Sequence, residues 1–171
     1  MDRTVPCGLV ASRTPADSRS ILVRWMGETD ANSAGYVHGG AVMRYCDEAA
    51  GLAATRHSGG RVVTAAMDRM TFNEPVHVGE VVTFKATVNA AWRTSMEVGV
   101  RVEAEDPRSG TTRHTNTAYV TMVALDDDGR PAPVPAIECT SDAERRRERA
   151  AQLRRGNRLA EREQILTARE A

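Results

Sequence analysis

One carboxylate, Asp47, stands inside a run whose apolar residues recur at helical spacing. Val42, Tyr45, Cys46, Ala49, Ala50 and Ala53 fall at the three- and four-residue intervals that share one helical face. Arg44, Glu48, Gly51 and Thr55 fall on the opposite side. At about 100° per residue Asp47 belongs to neither set and lies beside Met43, Ala50 and Ala54, on the flank of the apolar stripe. A carboxylate there is partly desolvated unless a donor or a cation answers it. That is the setting of a general base, and equally that of a salt-bridged residue on a buried helix. Gly39 and Gly40 stand where this helix begins. The N–H groups of a helix start lack internal partners, glycine lets another group approach them, and the dipole there is positive. Such donors suit an oxygen that gains negative charge during a reaction. Glycines that merely allow tight packing are the other reading.

The residues around this run resemble a known family. Ala31-Asn32, Gly35, Val37-His38-Gly39-Gly40, Met43, Asp47-Glu48-Ala49-Ala50 and Arg56-His57 are similar to the acyl-CoA thioesterases of the hot-dog fold, closest to the cytosolic long-chain acyl-CoA hydrolases and their short bacterial relatives. The likeness continues through Val62-Val63-Thr64-Ala65, Phe72, Pro75-Val76, Gly79 and Ser95-Met96-Glu97-Val98-Gly99-Val100, and spans roughly residues 20 to 135.

The resemblance implies hydrolysis of fatty acyl-CoA to free fatty acid and coenzyme A, with Asp47 as catalytic carboxylate. Asp47 would act as general base for water, or attack the thioester itself. Asn32 matches an asparagine that also serves catalysis, positioning water or the thioester carbonyl; a turn residue bonded to its own loop is the local alternative. Gly39, Gly40 and His38 would position the thioester and its oxyanion. The resemblance runs the pantetheine arm along Val63-Thr64-Ala65 and Arg93-Thr94-Ser95, with Arg154 and Arg155 as phosphate partners. It also implies a homodimer as minimum unit, assembled as a trimer of dimers, with Asn32 and Asp47 of one site on opposite subunits. No cofactor is expected beyond coenzyme A as part of substrate and product. A non-catalytic acyl-CoA sensor on the same fold is the rival reading.

The elements that must hold these residues follow from patterning. Ser20 to Met26 reads as a first strand and the run to His57 as a long helix. Arg61 to Phe72 reads as a strand apolar on both faces. Val82 to Trp92 and Met96 to Glu105 alternate apolar and polar residues, which predicts strands with one buried and one wetter face. The last strand runs from about His114 to Leu125. A curved antiparallel sheet around one helix is therefore expected, an α+β hot-dog domain over residues 19–135. Residues 1–18 are expected to be disordered. Residues 136–171 form an arginine-rich tail, with Ser141 and Glu144 as a capping box. That helix is polar nearly all round, so it should dock on a partner subunit, hold an anion or fray.

Composition closes off other classes. Twenty-three basic and 23 acidic side chains give no net field to recruit nucleic acid or an anionic membrane. Lys85 is the only lysine. Cys7, Cys46 and Cys139 have no metal-ligand spacing and suit free thiols in the cytoplasm. The histidines show no metal spacing, and no serine lies in a nucleophile elbow. His57 is expected to be structural.

Overall fold

The computed structural model of the protein describes residues 12–170. The two alternating stretches form the centre of one sheet: β3 (Val81–Ala91) and β4 (Ser95–Asp106) pair antiparallel, and β5 (Thr111–Leu125) pairs with β4. The outer strands are β1 (Ser20–Trp25) beside β3 and β2 (Arg61–Met67) beside β5, so the strand order is β1-β3-β4-β5-β2. The long helix α2 (Gly39–Ser58) lies against the inner face of the sheet. A four-residue helix α1 (Pro15–Ser18) precedes β1, and α3 (Asp142–Glu170) closes the described chain. This is the expected hot-dog architecture. No described helix is long and apolar enough to cross a membrane.

The helical spacing translates directly into burial. Val42, Tyr45, Cys46, Ala49, Ala50 and Ala53 are all buried, and so are Ala54 and His57. Four alanines on this face let the helix sit close to Val82, Phe84, Val98, Val100 and Val120, with the Tyr45 and Phe84 rings 5.6 Å apart. Each fully buried Val or Phe contributes roughly 1.5–3 kcal/mol. This interior, rather than the charged tail, holds the fold. The helix ends at Gly59, whose φ of 74° is the left-handed cap that glycine adopts without a Cβ penalty.

Three expectations change. The strand expected to reach Phe72 ends at Met67; the backbone N–H of Asp68 still bonds Tyr119, but its carboxylate turns to Arg158. The seven residues of β2 are largely exposed because they form a sheet edge. Part of the expected disordered N-terminus is ordered: Ser18 is buried and accepts from the Val88 N–H, and Arg13 bridges to Ile137. Residues 1–11, with Cys7, lie outside the described residues.

The tail also behaves differently. Its capping box forms, with Glu144 accepting from both Thr140 and Ser141 and held down to about 2, chiefly by the Thr140 hydroxyl. The helix then passes through Gly156 unbroken and docks on the outer face of its own sheet. Glu97, expected on the wetter face of β4, is 0% exposed beneath it. Arg154 grips Glu97 with two hydrogen bonds, of 3.1 and 2.6 Å, and Asn89 adds a third. Arg158 holds both oxygens of Asp68. Buried charge, not an apolar stripe, is what seats this helix.

Candidate active site

Asp47 projects from the flank of α2 towards β2, half-buried, where Thr64 Oγ1 donates to its Oδ1 at 2.5 Å. The same hydroxyl lies 3.5 Å from Met122 Sδ on β5. Thr64 reaches inward because the β2–β5 register pairs it with Met122, and a bulge between Thr64 and Ala66 bends the edge just after it. The carboxylate is thus answered by one hydroxyl and by no cation among the described residues. Its sequence neighbour Glu48 faces Arg24 and Arg44 on the exposed side, as the helical angle requires. Only Asp47 remains available as a base.

The start of α2 is built as a cap. His38 is the N-cap residue, and its Nδ1 accepts from the Gly40 N–H at 2.9 Å. The Gly39 N–H has no acceptor among the described residues. A Cβ at Gly39 would stand 3.3 Å from the Phe72 ring, and one at Gly40 would stand 3.1 Å from His38 Nδ1. At both glycines a side chain would press closely on a neighbour. In this arrangement one of the two expected oxyanion donors, the Gly40 N–H, is held by His38.

Asn32 sits half-buried in the loop before α2. Its Oδ1 accepts from the N–H groups of Ala34 and Tyr36, at 2.9 and 3.2 Å, so the side chain does brace its own turn. Its Nδ2 makes no hydrogen bond among the described residues and stays free to donate. Asn32 and Asp47 share no hydrogen bond within one chain. Asp47 lies eight residues beyond the helix start at Gly39, about 12 Å along the axis at 1.5 Å per residue.

The expected coenzyme A segments converge at one end of the sheet. Val63 of β2 and Ser95 of β4 both pair with Val123, which brings Val63-Thr64-Ala65 and Arg93-Thr94-Ser95 to the same end of the sheet, on either side of β5. Arg154 is taken by Glu97 and stacks 3.6 Å over Tyr119, so it is not free for a phosphate. Arg155 lies 4.4 Å over the Trp92 ring beside the Arg93 turn and has no carboxylate partner among the described residues.

Other reactive groups are silenced. Burial, reinforced by the Asp47 charge, pushes the Cys46 thiol up to about 12, which rules out a thiolate nucleophile beside Asp47. Cys139 is likewise raised, to about 11. His57 is fully buried with Nε2 3.0 Å from the Pro135 carbonyl, a structural contact. Among the described residues no group of three or more His, Cys, Asp or Glu is arranged to hold a metal ion. The residue that sequence reasoning underrated is Thr64. It was singled out for its backbone alone, and the side-chain contact spans 17 residues with no local signal.

Known proteins resemble the chain in sequence and in fold. Residues 34–111 match the family model "Thioesterase superfamily". An uncharacterised acyl-CoA thioester hydrolase of Zymomonas mobilis is 37% identical over 126 residues, 74% of this chain and 84% of that one. An acyl-CoA hydrolase from Staphylococcus aureus, solved with butyryl coenzyme A, coenzyme A and coenzyme A disulfide, superposes with a TM-score of 0.85 at 31% identity, over 93% of this chain and 97% of that one. An apo-hexameric acyl-CoA thioesterase superposes equally well, at 36% identity over 89% and 97% of the two chains. Three further structures of the S. aureus enzyme carry alanine in place of an asparagine, an aspartate 15 residues on and a threonine 17 beyond that. Asn32, Asp47 and Thr64 have the same types, order and spacing.

Proposed function

The chain belongs to the thioesterase superfamily, and from that membership we propose that it is an acyl-CoA thioester hydrolase, converting fatty acyl-CoA and water to free fatty acid and coenzyme A. The observation that carries this reading is the Asp47–Thr64 pair, an ionisable base on an apolar flank, oriented by one hydroxyl and facing no cation among the described residues. Asp47 takes a proton from water as the oxygen attacks the thioester carbonyl carbon. The carbonyl becomes an oxyanion, held by the Gly39 N–H at the positive end of α2. Turning the His38 ring away releases the Gly40 N–H as a second donor. Collapse breaks the C–S bond, and the departing thiolate recovers the proton from Asp47. Thr64 fixes the carboxylate rotamer throughout.

The unit that does this is a homodimer, in a trimer of dimers. The outer edge of β2 has no partner strand among the described residues, Val63 beside the site is 45% exposed, and Met43 and Leu52 are exposed on the same helix as Asp47. A second copy covers these and brings its Asn32 to the site, supplying the free Nδ2 for water or carbonyl. The hexameric structural neighbour supports that assembly. Free thiols at Cys46 and Cys139 suit the cytoplasm.

The test is thiol release from acyl-CoAs of two to eighteen carbons, with Asp47→Ala alongside. Hydrolysis lowered about 10²–10⁴-fold in a folded, coenzyme A-binding variant supports the base. No hydrolysis by the unmodified protein anywhere in the series would favour a non-catalytic sensor.

A further inference from the structure

Helix α3 crosses the outer face of the sheet in strand order. Arg154 holds Glu97 on β4 and stacks over Tyr119 on β5, and Arg158 holds Asp68 just past β2, the last strand. The helix does not stop there. Twelve more residues, to Glu170, carry it about 18 Å further at 1.5 Å per residue. The sheet curls around α2, which touches all five strands, so its outer face is convex and a straight helix leaves it as a tangent. An open groove of about 600 Å³ results, with Ala65 and Ala66 of β2 on one side and Leu159, Arg162, Ile165 and Leu166 on the other.

Within one chain little supports this end of the helix. Every side chain from Leu159 to Arg169 is exposed, and its one ion pair among the described residues, Arg69 with Glu161, joins two exposed groups. Such a pair contributes about 0–1 kcal/mol, and an isolated segment of this length is marginal as a helix in water. Yet Leu159 and Leu166 stand seven residues apart on one face, with Ile165 beside them, as on a helix that packs against another.

The position of the groove says what covers it. It opens at the free outer edge of β2, where a second copy would continue the sheet, and a two-fold axis there sets the two helix ends antiparallel. One register then brings Leu159 of each copy beside Leu166 of the other and, at once, Arg162 beside Glu163. Neither of those charges has an ion-pair partner among the described residues. We infer that the last three turns of α3 bind the same turns of a second copy, as an antiparallel clasp over the paired β2 edges. The inference rests on the two-fold dimer proposed above and adds the segment that locks it.

Disulfide trapping tests the clasp. Leu159→Cys and Leu166→Cys are made together in the full chain carrying Cys7→Ser and Cys139→Ser, which leaves only the buried Cys46. Along one helix the two positions are about 10.5 Å apart, too far for a disulfide, so a bond between them joins two copies. Mild oxidation should give a covalent dimer on a non-reducing gel. Leu153→Cys in the same background, exposed outside the groove, should give none. In sedimentation, Arg162→Glu should weaken self-association about tenfold or more, and adding Glu163→Arg should restore it. A chain that sediments as a dimer or larger, is not trapped and ignores the charge reversal overturns the clasp and leaves the dimer standing. An unmodified chain that stays monomeric at every concentration overturns the dimer and the clasp with it.

Discussion

Thr64 donates to Asp47 across the gap between edge strand β2 and helix α2, at 2.5 Å, and it is the one side-chain hydrogen bond to that carboxylate among the described residues. A single donor orients a base without neutralising it, so losing the donor should cost less than losing the base. Thr64→Val should lower kcat about tenfold or more, near the lower end of the ~1.5–3 kcal/mol of a hydrogen bond to a charged group. Thr64→Ser keeps the hydroxyl and should recover most of the activity. Steady-state kinetics on one acyl-CoA decides it: equal losses in the Val and Ser variants would assign Thr64 to packing instead.

Glu97 and Arg154 form the other decisive pair, with Glu97 at 0% exposure and Arg154 at 24%. Breaking a buried pair from one side leaves a desolvated charge. Arg154→Met should therefore destabilise by up to ~3–5 kcal/mol, with Arg158, 3.7 Å away, moderating the loss. Adding Glu97→Met removes the orphaned charge and should restore much of that stability. Urea denaturation of the three variants measures this. A single-variant loss below ~1 kcal/mol would place the pair with ordinary surface ion pairs.

How far the sequence could be read follows from how local each signal is. The buried face of α2, the paired strands β3 and β4, the Ser141–Glu144 cap and the flank position of Asp47 rest on periodicity within one segment, and each was legible. The docking of α3 was not. Its contacts are Arg154 to Glu97 and Arg158 to Asp68, 57 and 90 residues apart, on a helix with no apolar stripe. Alternation marked Glu97 as wet because a strand pattern reports only which face a residue takes, not what later covers that face. Thr64 was visible only as backbone for the same reason. The Asp68 carboxylate likewise finds its partner, Arg158, 90 residues away, outside any window around residue 68.

His57 makes stability depend on pH. Burial lowers its pKa below the ordinary imidazole value, with the Pro135 carbonyl only partly opposing this. The unfolded chain therefore binds the proton more readily than the fold does. The contribution is present above the unfolded pKa of about 6.5 and is lost as pH falls below it. The melting temperature should drop between pH 7 and 5, and His57→Gln should flatten that slope while lowering stability at pH 7. An unchanged slope in the variant would move the effect to other groups.

The final prediction concerns which chains build one site. Asn32 braces its own turn through Oδ1 but leaves Nδ2 free, and it lies beyond the start of the helix that carries Asp47 two turns further on. A site that uses both side chains must draw them from two protomers across a two-fold axis. Asn32→Ala and Asp47→Ala proteins should then each be nearly inactive. Co-folded together, their heterodimers contain one site with both defects and one with neither. Random mixing makes about half the dimers hetero, so roughly a quarter of all sites should regain full activity. The assay is specific activity of the co-folded mixture against each variant refolded alone. A mixture no more active than its components would mean that each site is built within one chain, and Asn32 would then be a turn residue and nothing more.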